Sequence, residues 1–168
     1  MGGFLRGVNG VPLLGLVVAA LAWFGWFLIA PAFGFPTVRP AAMINRVFLP
    51  DSDPQAWLGW VVLTIGLLVL GTLYYVAVAR QRGHIPSGLL FGAAAWFITG
   101  LVLMPIMGWI SGPVPESTSS MVQTMPDAMP ATLMMLHLGT LAPLEALVAW
   151  LLFGAALGAA SELRGLRR

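Results

Sequence analysis

The sequence predicts an all-α integral membrane protein, folded as a bundle of four transmembrane helices. Three observations support this fold class: an apolar composition, four long apolar stretches, and arginines at the ends of those stretches. Of the 168 residues, 59% are hydrophobic and 8% are charged, whereas a soluble domain carries about 25% charged residues. So few charges cannot form a surface in contact with water, so lipid must cover most of the chain.

Four apolar stretches are long enough to cross a bilayer, which takes about 20 helical residues. They run from about Val11 to Phe35, Ala56 to Ala79, Ser87 to Ile110, and Leu133 to Ala160. None alternates in polarity as the strands of a membrane barrel do. We therefore interpret residues 1–168 as a single domain of four transmembrane helices, numbered here as spans one to four.

The arginines predict the orientation of the bundle, because cytoplasmic loops are enriched in basic residues. The two sides carry unequal sets: Arg6, Arg80, Arg82, Arg164, Arg167 and Arg168 on one, Arg39 and Arg46 on the other. Both termini are therefore expected in the cytoplasm, with the chain in the cytoplasmic (inner) membrane of a prokaryote. The short connection between spans two and three predicts a tight hairpin.

Composition also argues against several functional classes. The pI near 9.9 does not indicate nucleic-acid binding, because the arginines flank apolar stretches instead of forming a basic cluster. Without cysteine the chain has no thiolate ligand or cysteine nucleophile. It also lacks a glycine-rich phosphate loop and a His-x-x-x-His pair. We therefore expect a protein that is not an enzyme, with no cofactor predicted.

A weak internal repeat relates the two halves of the sequence. Ala22-Trp23-Phe24 in span one matches Ala95-Trp96-Phe97 in span three, and Arg82-Gly83 after span two matches Arg164-Gly165 after span four. One interpretation is a duplicated helical hairpin in parallel orientation, which differs from the inverted repeats of many transporters. The alternative is a chance match, which a biased composition also produces.

Spans three and four carry a set of short motifs: Gly88-Leu89-Leu90-Phe91-Gly92, Ala95-Trp96-Phe97, Leu103-Met104-Pro105, and Leu152-Phe153 before Gly154-Ala155-Ala156-Leu157-Gly158. With these motifs the second half of the chain resembles a family of small uncharacterised prokaryotic membrane proteins. The resemblance implies a four-helix fold and implies no activity, so no catalytic residue is carried over.

Two pairs of glycines have the spacing that lets membrane helices approach closely. They are Gly88 with Gly92 in span three, and Gly154 with Gly158 in span four. Either pair could pack inside the bundle or against another subunit, and the sequence leaves both possibilities open.

Glu145 is the leading candidate for a functional residue, because it lies about midway along predicted span four. A carboxyl group at that depth is costly unless it is paired, protonated or facing water. It is interpreted either as a proton-handling group or cation partner, or as a protonated acid bonded across the bundle to Thr64 or Thr99.

Two neighbours of Glu145 complete this candidate polar site. Pro143 lacks a backbone N–H and would leave the carbonyl of Gly139 free. One interpretation is a kink in span four that makes a small polar pocket, and the alternative is an ordinary proline, which membrane helices tolerate. Thr140 would add a hydroxyl to a pocket formed by that kink.

A methionine-rich segment precedes span four and predicts a third kind of site. Thioethers and imidazole are ligands suited to Cu(I), and the candidate ligands are Met121, Met125, Met129, Met134, Met135 and His137. The alternative is that these methionines fill apolar gaps. The other histidine, His84, lies on the opposite face of the membrane, which excludes a haem held by both histidines of one chain.

Three functional hypotheses follow from these residues. The first is a non-catalytic accessory or assembly subunit of a larger membrane complex, such as a respiratory complex, partnered by other membrane subunits or by self-association. The second is a small transporter or channel that uses Glu145. The third is copper binding by the methionine and histidine cluster.

Overall fold

The computed structural model describes residues 10–48, 57–78, 84–111 and 139–165. These residues are almost entirely helical and contain no strand. Four helices among them are long and apolar enough to cross a membrane: Leu13–Phe33, Trp57–Ala77, Ile85–Ile110 and Ala142–Leu163. The predicted all-α class with four membrane-spanning helices is therefore confirmed.

Span one consists of helix α1, Gly10–Ile29, followed by a 3-10 turn, Ala30–Phe33. The span ends at Gly34, whose φ of 85° is a left-handed conformation that glycine adopts without strain. The backbone N–H of Gly34 donates to the carbonyl of Pro31 at 3.1 Å. This glycine stop explains why the helix ends just before the predicted boundary at Phe35.

A short helix not anticipated from the sequence, α2, covers Pro40–Phe48 in the connection between spans one and two. Nine residues are too few to cross a membrane. Ala41, Met43 and Asn45 on this helix are buried, whereas Phe48 is exposed. The helix lies against α3, where a β-carbon at Gly59 would collide with the backbone of Ala41.

Helix α3, Trp57–Ala77, forms span two, and helix α4, Ile85–Ile98, begins span three. The two helices meet where the short connection joins them. Tyr74 lies there, with its hydroxyl 3.1 Å from the Ser87 hydroxyl and its ring 5.3 Å from the ring of Phe91. Toward the α2 end the two helices separate, so the predicted tight hairpin is closed at one end only.

Span three continues through a π-helical segment, Thr99–Leu103, into helix α5, Met104–Ser111. The N–H of Met104 bonds to the carbonyl of Thr99, which gives the wider turn of a π-helix. Pro105 follows directly and has no N–H to donate to the preceding turn. We attribute the widened turn to this proline.

Span four is helix α6, Ala142–Gly165. It begins later than predicted, because Gly139 has a φ of 112° and the next two residues form a turn. The predicted start at Leu133 lies outside the described residues. It also continues past the predicted end at Ala160, since its last turns are polar but still helical.

Helix α6 is the centre of the bundle. It packs along most of its length against α1 on one side and α4 on the other. The core between them includes Ala19, Trp23, Ala149, Phe153 and Leu157. Helix α3 packs against α2 and part of α1 and touches α6 at few positions. This arrangement is a three-helix core with a peripheral fourth span.

The packing of the two hairpins is not equivalent. A duplicated pair related by a twofold axis would place α1 against α3 as extensively as α4 lies against α6. Instead α1 packs mainly on α6, and α3 is peripheral. The duplication therefore stays a prediction about the sequence, without a matching symmetry in the described helices.

Candidate functional site

Glu145 lies in the first turn of α6 and not midway along the span as predicted. The late start of α6 after Gly139 explains the difference. Its side chain is fully buried, with 0% exposure. The acid is therefore enclosed near one end of the bundle.

The carboxyl group of Glu145 has no hydrogen-bond partner in the described part of the chain. The predicted bonds to threonine are wrong, since Thr64 donates to the carbonyl of Trp60 at 2.8 Å and Thr99 donates to that of Ala95 at 2.7 Å. Both threonine hydroxyls therefore donate to a backbone carbonyl of their own helix, as hydroxyls in membrane helices commonly do.

Two indole groups hold the first turn of α6 against its neighbours. Trp26 of α1 donates to the backbone carbonyl of Glu145 at 3.0 Å, and Trp96 of α4 donates to that of Pro143 at 3.0 Å. Buried indole N–H groups usually require such an acceptor. The position of Glu145 is therefore fixed through its backbone, from both sides.

Pro143 and Thr140 do not form the polar pocket that the sequence predicted. Pro143 lies in the first turn of α6, a position where proline costs no helical hydrogen bond. The carbonyl of Gly139 accepts the N–H of Ala142 at 3.2 Å, so it is not left free. Thr140 is exposed before the helix begins. Of the three predicted residues, only Glu145 is enclosed.

The four predicted packing glycines lie at the contact between α4 and α6. A β-carbon at Gly88 would collide with the backbone of Gly154, and one at Gly92 with the backbone carbonyl of Trp150. At Gly158 it would meet the backbone where α4 begins. Both glycine pairs are therefore used inside the bundle, which resolves the alternative left open by the sequence.

The predicted copper ligands, Met121, Met125, Met129, Met134, Met135 and His137, lie outside the described residues. Within the described residues, no group of three histidine or acidic side chains is placed to hold a metal ion. Copper binding therefore stays a prediction.

An apolar cavity of about 440 Å³, which we call the lateral cavity, lies between α3 and span three. Helix α3 forms one wall, span three forms the other, and α2 covers one end. Its lining includes Met43 of α2, Val62, Gly66 and Leu70 of α3, and Gly100 and Leu103 of the π-helical segment. The cavity occupies the space left where α3 and span three separate.

The sequence did not predict the lateral cavity. The available indications were Gly66, a glycine without a spacing partner, and Pro105, which follows the widened turn. At Gly66 a β-carbon would have nothing within 4 Å, unlike the glycines between α4 and α6. Trp23 also lines the cavity, and its indole N–H has no acceptor among the described residues.

Comparison with models of protein families, with curated proteins and with solved structures finds no match to this chain.

Proposed function

We propose that this chain is a non-catalytic accessory or assembly subunit of a larger membrane complex, in the inner membrane of a prokaryote. The observation that carries the proposal is the peripheral position of α3. Helix α3 touches α6 at few positions. Within its apolar part, 17% of the residues are buried in the bundle, the same fraction as in span three and less than the 33% of span one and the 44% of span four. Membrane helices associate through packing of their surfaces, so the exposed length of α3 offers a surface to a helix of another subunit.

One face of α3 is the best candidate for that contact. Ile65, Val69 and Leu73 are spaced four residues apart and are 56%, 53% and 52% exposed. Thr72 lies beside them, and its hydroxyl is bonded to the carbonyl of Leu68 at 2.7 Å. This outward face is apolar, and the hydroxyl beside it is already hydrogen-bonded within the helix. Both properties favour packing against another helix or lipid over contact with water.

The described interior supports a structural role over passage of a hydrophilic solute. Its buried polar residues are Asn45, Glu145 and Ser161. Asn45 lies on α2 and Glu145 in the first turn of α6, whereas Ser161 lies near the opposite end of α6. These three residues therefore do not form a continuous series of polar groups through the bundle. A solute pathway requires polar groups at successive depths.

Photocrosslinking in native membranes tests the subunit proposal. A photoreactive phenylalanine analogue at Val69 is expected to crosslink to a companion membrane protein, identified by mass spectrometry. The matched control is the same analogue at Val18, which is similarly exposed, at 47%, but lies on α1. Recovery of the isolated chain alone from Val69, with native purification also returning a monomer, would contradict the proposal.

A second candidate function, a small transporter or channel using Glu145, is favoured by one observation. The carboxyl group is fully buried and has no partner in the described part of the chain, and intramembrane acids are often part of proton or ion pathways. If Glu145→Gln leaves the proton and cation flux of reconstituted vesicles unchanged, this candidate is excluded.

A further inference from the structure

The lateral cavity lies at the depth of the lipid chains. On α3 its lining runs from Val62 to Leu70, about 12 Å at 1.5 Å per residue. That length is close to the hydrocarbon thickness of one bilayer leaflet, about 15 Å. On span three the lining runs from Trp96 to Ile110, about 21 Å. Both walls belong to helices long and apolar enough to span a membrane, so we infer that the cavity lies beside lipid hydrocarbon, from the α2 end inward.

The lining of the cavity is suited to a hydrocarbon. Thr99 is the one lining residue with a hydroxyl, and that hydroxyl donates to the carbonyl of Ala95. The other lining side chains are aliphatic, methionine or aromatic, apart from the two glycines. A volume of about 440 Å³ is within the usual range of small-molecule sites, about 300–1,000 Å³.

One arginine, Arg39, lies next to the covered end of the cavity. The two arginines between spans one and two are Arg39, directly before α2, and Arg46, within it. Arg39 is exposed, and the adjacent Pro40 lines the cavity. A short helix at the end of the spans lies at headgroup level, where a guanidinium group can bind a phosphate.

We propose that the lateral cavity binds one acyl chain of an anionic phospholipid, with the phosphate of that lipid against Arg39. The apolar walls hold the chain, and the arginine selects the headgroup charge. This site lies on the cavity side of α3, through Val62, Gly66 and Leu70, and not on the outward face formed by Ile65, Val69 and Leu73. The two proposals therefore use different residues of α3.

Two open glycines provide a matched pair of variants. A β-carbon added at either Gly66 or Gly25 would have nothing within 4 Å, and only Gly66 lines the cavity. Leucine is a better helix former than glycine by roughly 0.8 kcal/mol, so both Gly66→Leu and Gly25→Leu are expected to fold. Leu103→Trp fills the cavity from the opposite wall and serves as a second variant.

Native mass spectrometry of the purified full chain tests the site, with dioleoyl phosphatidylglycerol and dioleoyl phosphatidylcholine as probes. We expect one phosphatidylglycerol per chain, bound about fivefold more tightly than phosphatidylcholine, the effect of one basic residue near a membrane surface. Arg39→Gln should remove this preference. Gly66→Leu and Leu103→Trp should lower the affinity for both lipids at least about tenfold, because the larger side chains displace two or more acyl methylene groups from the cavity. Gly25→Leu should leave both affinities unchanged.

Three results would overturn the proposal. One is equal lipid binding by Gly66→Leu and Gly25→Leu. Another is a wild-type chain that does not discriminate between the two lipids. The third is a protein occupant, seen as a dimer or a companion subunit that Gly66→Leu releases. Crosslinking from Val69 reports separately on the subunit proposal, so either proposal can fail while the other holds.

Discussion

At the scale of single residues, two acids on α6 differ in what their carboxyl groups contact. Glu145, in the first turn, is fully buried without a hydrogen-bond partner among the described residues. Glu162, near the other end, accepts the N–H of Ile85 at 3.0 Å. That N–H belongs to the first turn of α4, where a negative charge also interacts favourably with the helix dipole. The same residue type therefore has opposite energetic roles.

Replacement of these acids is expected to change stability in opposite directions. Glu145→Leu removes an unpartnered polar group and should raise the free energy of unfolding by about 1–3 kcal/mol. Glu162→Leu removes a helix cap and should lower it by about 0.5–2 kcal/mol. Unfolding of the purified protein in mixed detergent micelles measures both. Destabilisation by Glu145→Leu would contradict the first expectation and indicate that the acid has a partner.

Tyr74 connects three helices through one hydroxyl group. Its oxygen lies 3.1 Å from the Ser87 hydroxyl and 3.5 Å from that of Ser161. Ser87 donates to the carbonyl of His84 and Ser161 donates to that of Gly158, each at 2.7 Å. Because both serine protons are used in these bonds, the Tyr74 hydroxyl is the donor to a serine oxygen.

We expect Tyr74→Phe to lower stability by about 0.5–1.5 kcal/mol, since the ring remains and only the hydroxyl is lost. A double-mutant cycle with Ser87→Ala should give a coupling energy of about 0.6 kcal/mol, the average for such bonds in membrane proteins. The same unfolding assay measures both values. Strict additivity of the two substitutions would show that this hydroxyl contact does not contribute.

At the scale of helices, the distance between neighbouring backbones distinguishes tight contacts from loose ones. Helices α4 and α6 meet through glycines on both sides, so their backbones touch. Helix α3 presents Gly66 to an open cavity instead, and span three has a π-helical segment on the facing wall. The difference between the two contacts explains why one half of the bundle is closed and the other contains a cavity.

Alanine substitution of glycines should separate these two environments. Gly88→Ala forces a β-carbon into the backbone of Gly154 and should lower the free energy of unfolding by about 1–3 kcal/mol. Gly25→Ala adds a methyl group in open space and should raise it by about 0.5–1 kcal/mol. Equal effects of the two substitutions in the unfolding assay would argue against close packing of α4 on α6.

At the scale of the whole molecule, the described residues contain four helices long and apolar enough to cross a membrane. The predicted four-span topology places both termini on the same side. The arginine distribution predicts that this side is the cytoplasm. The lateral cavity and its α2 cover then lie in the outer leaflet, because α2 connects spans one and two at the opposite end from the termini.

Reporter fusions test this orientation. Green fluorescent protein fused after Arg168 should fluoresce, since it folds in the cytoplasm, and alkaline phosphatase fused at that position should be inactive. Alkaline phosphatase fused after Ser119, between spans three and four, should be active. The reverse pattern at either position would contradict the predicted topology. The double substitution Arg80→Glu and Arg82→Glu should lower the preference for the orientation with cytoplasmic termini, because it removes two of the basic residues that set the orientation.

The sequence by itself determined that the chain is helical, with four helices long and apolar enough to cross a membrane, because lipid permits few charges and requires each helix to satisfy its own backbone. It also identified the glycines Gly88, Gly92, Gly154 and Gly158, since close packing of membrane helices depends on small residues at local spacing. Only the tertiary structure decided that these glycines join α4 to α6, that Glu145 lies in a first helical turn, and that a cavity separates α3 from span three. Those properties depend on where a helix starts and which faces meet. An apolar sequence does not encode the start of a helix or the face that it packs, because every side of such a helix is compatible with lipid.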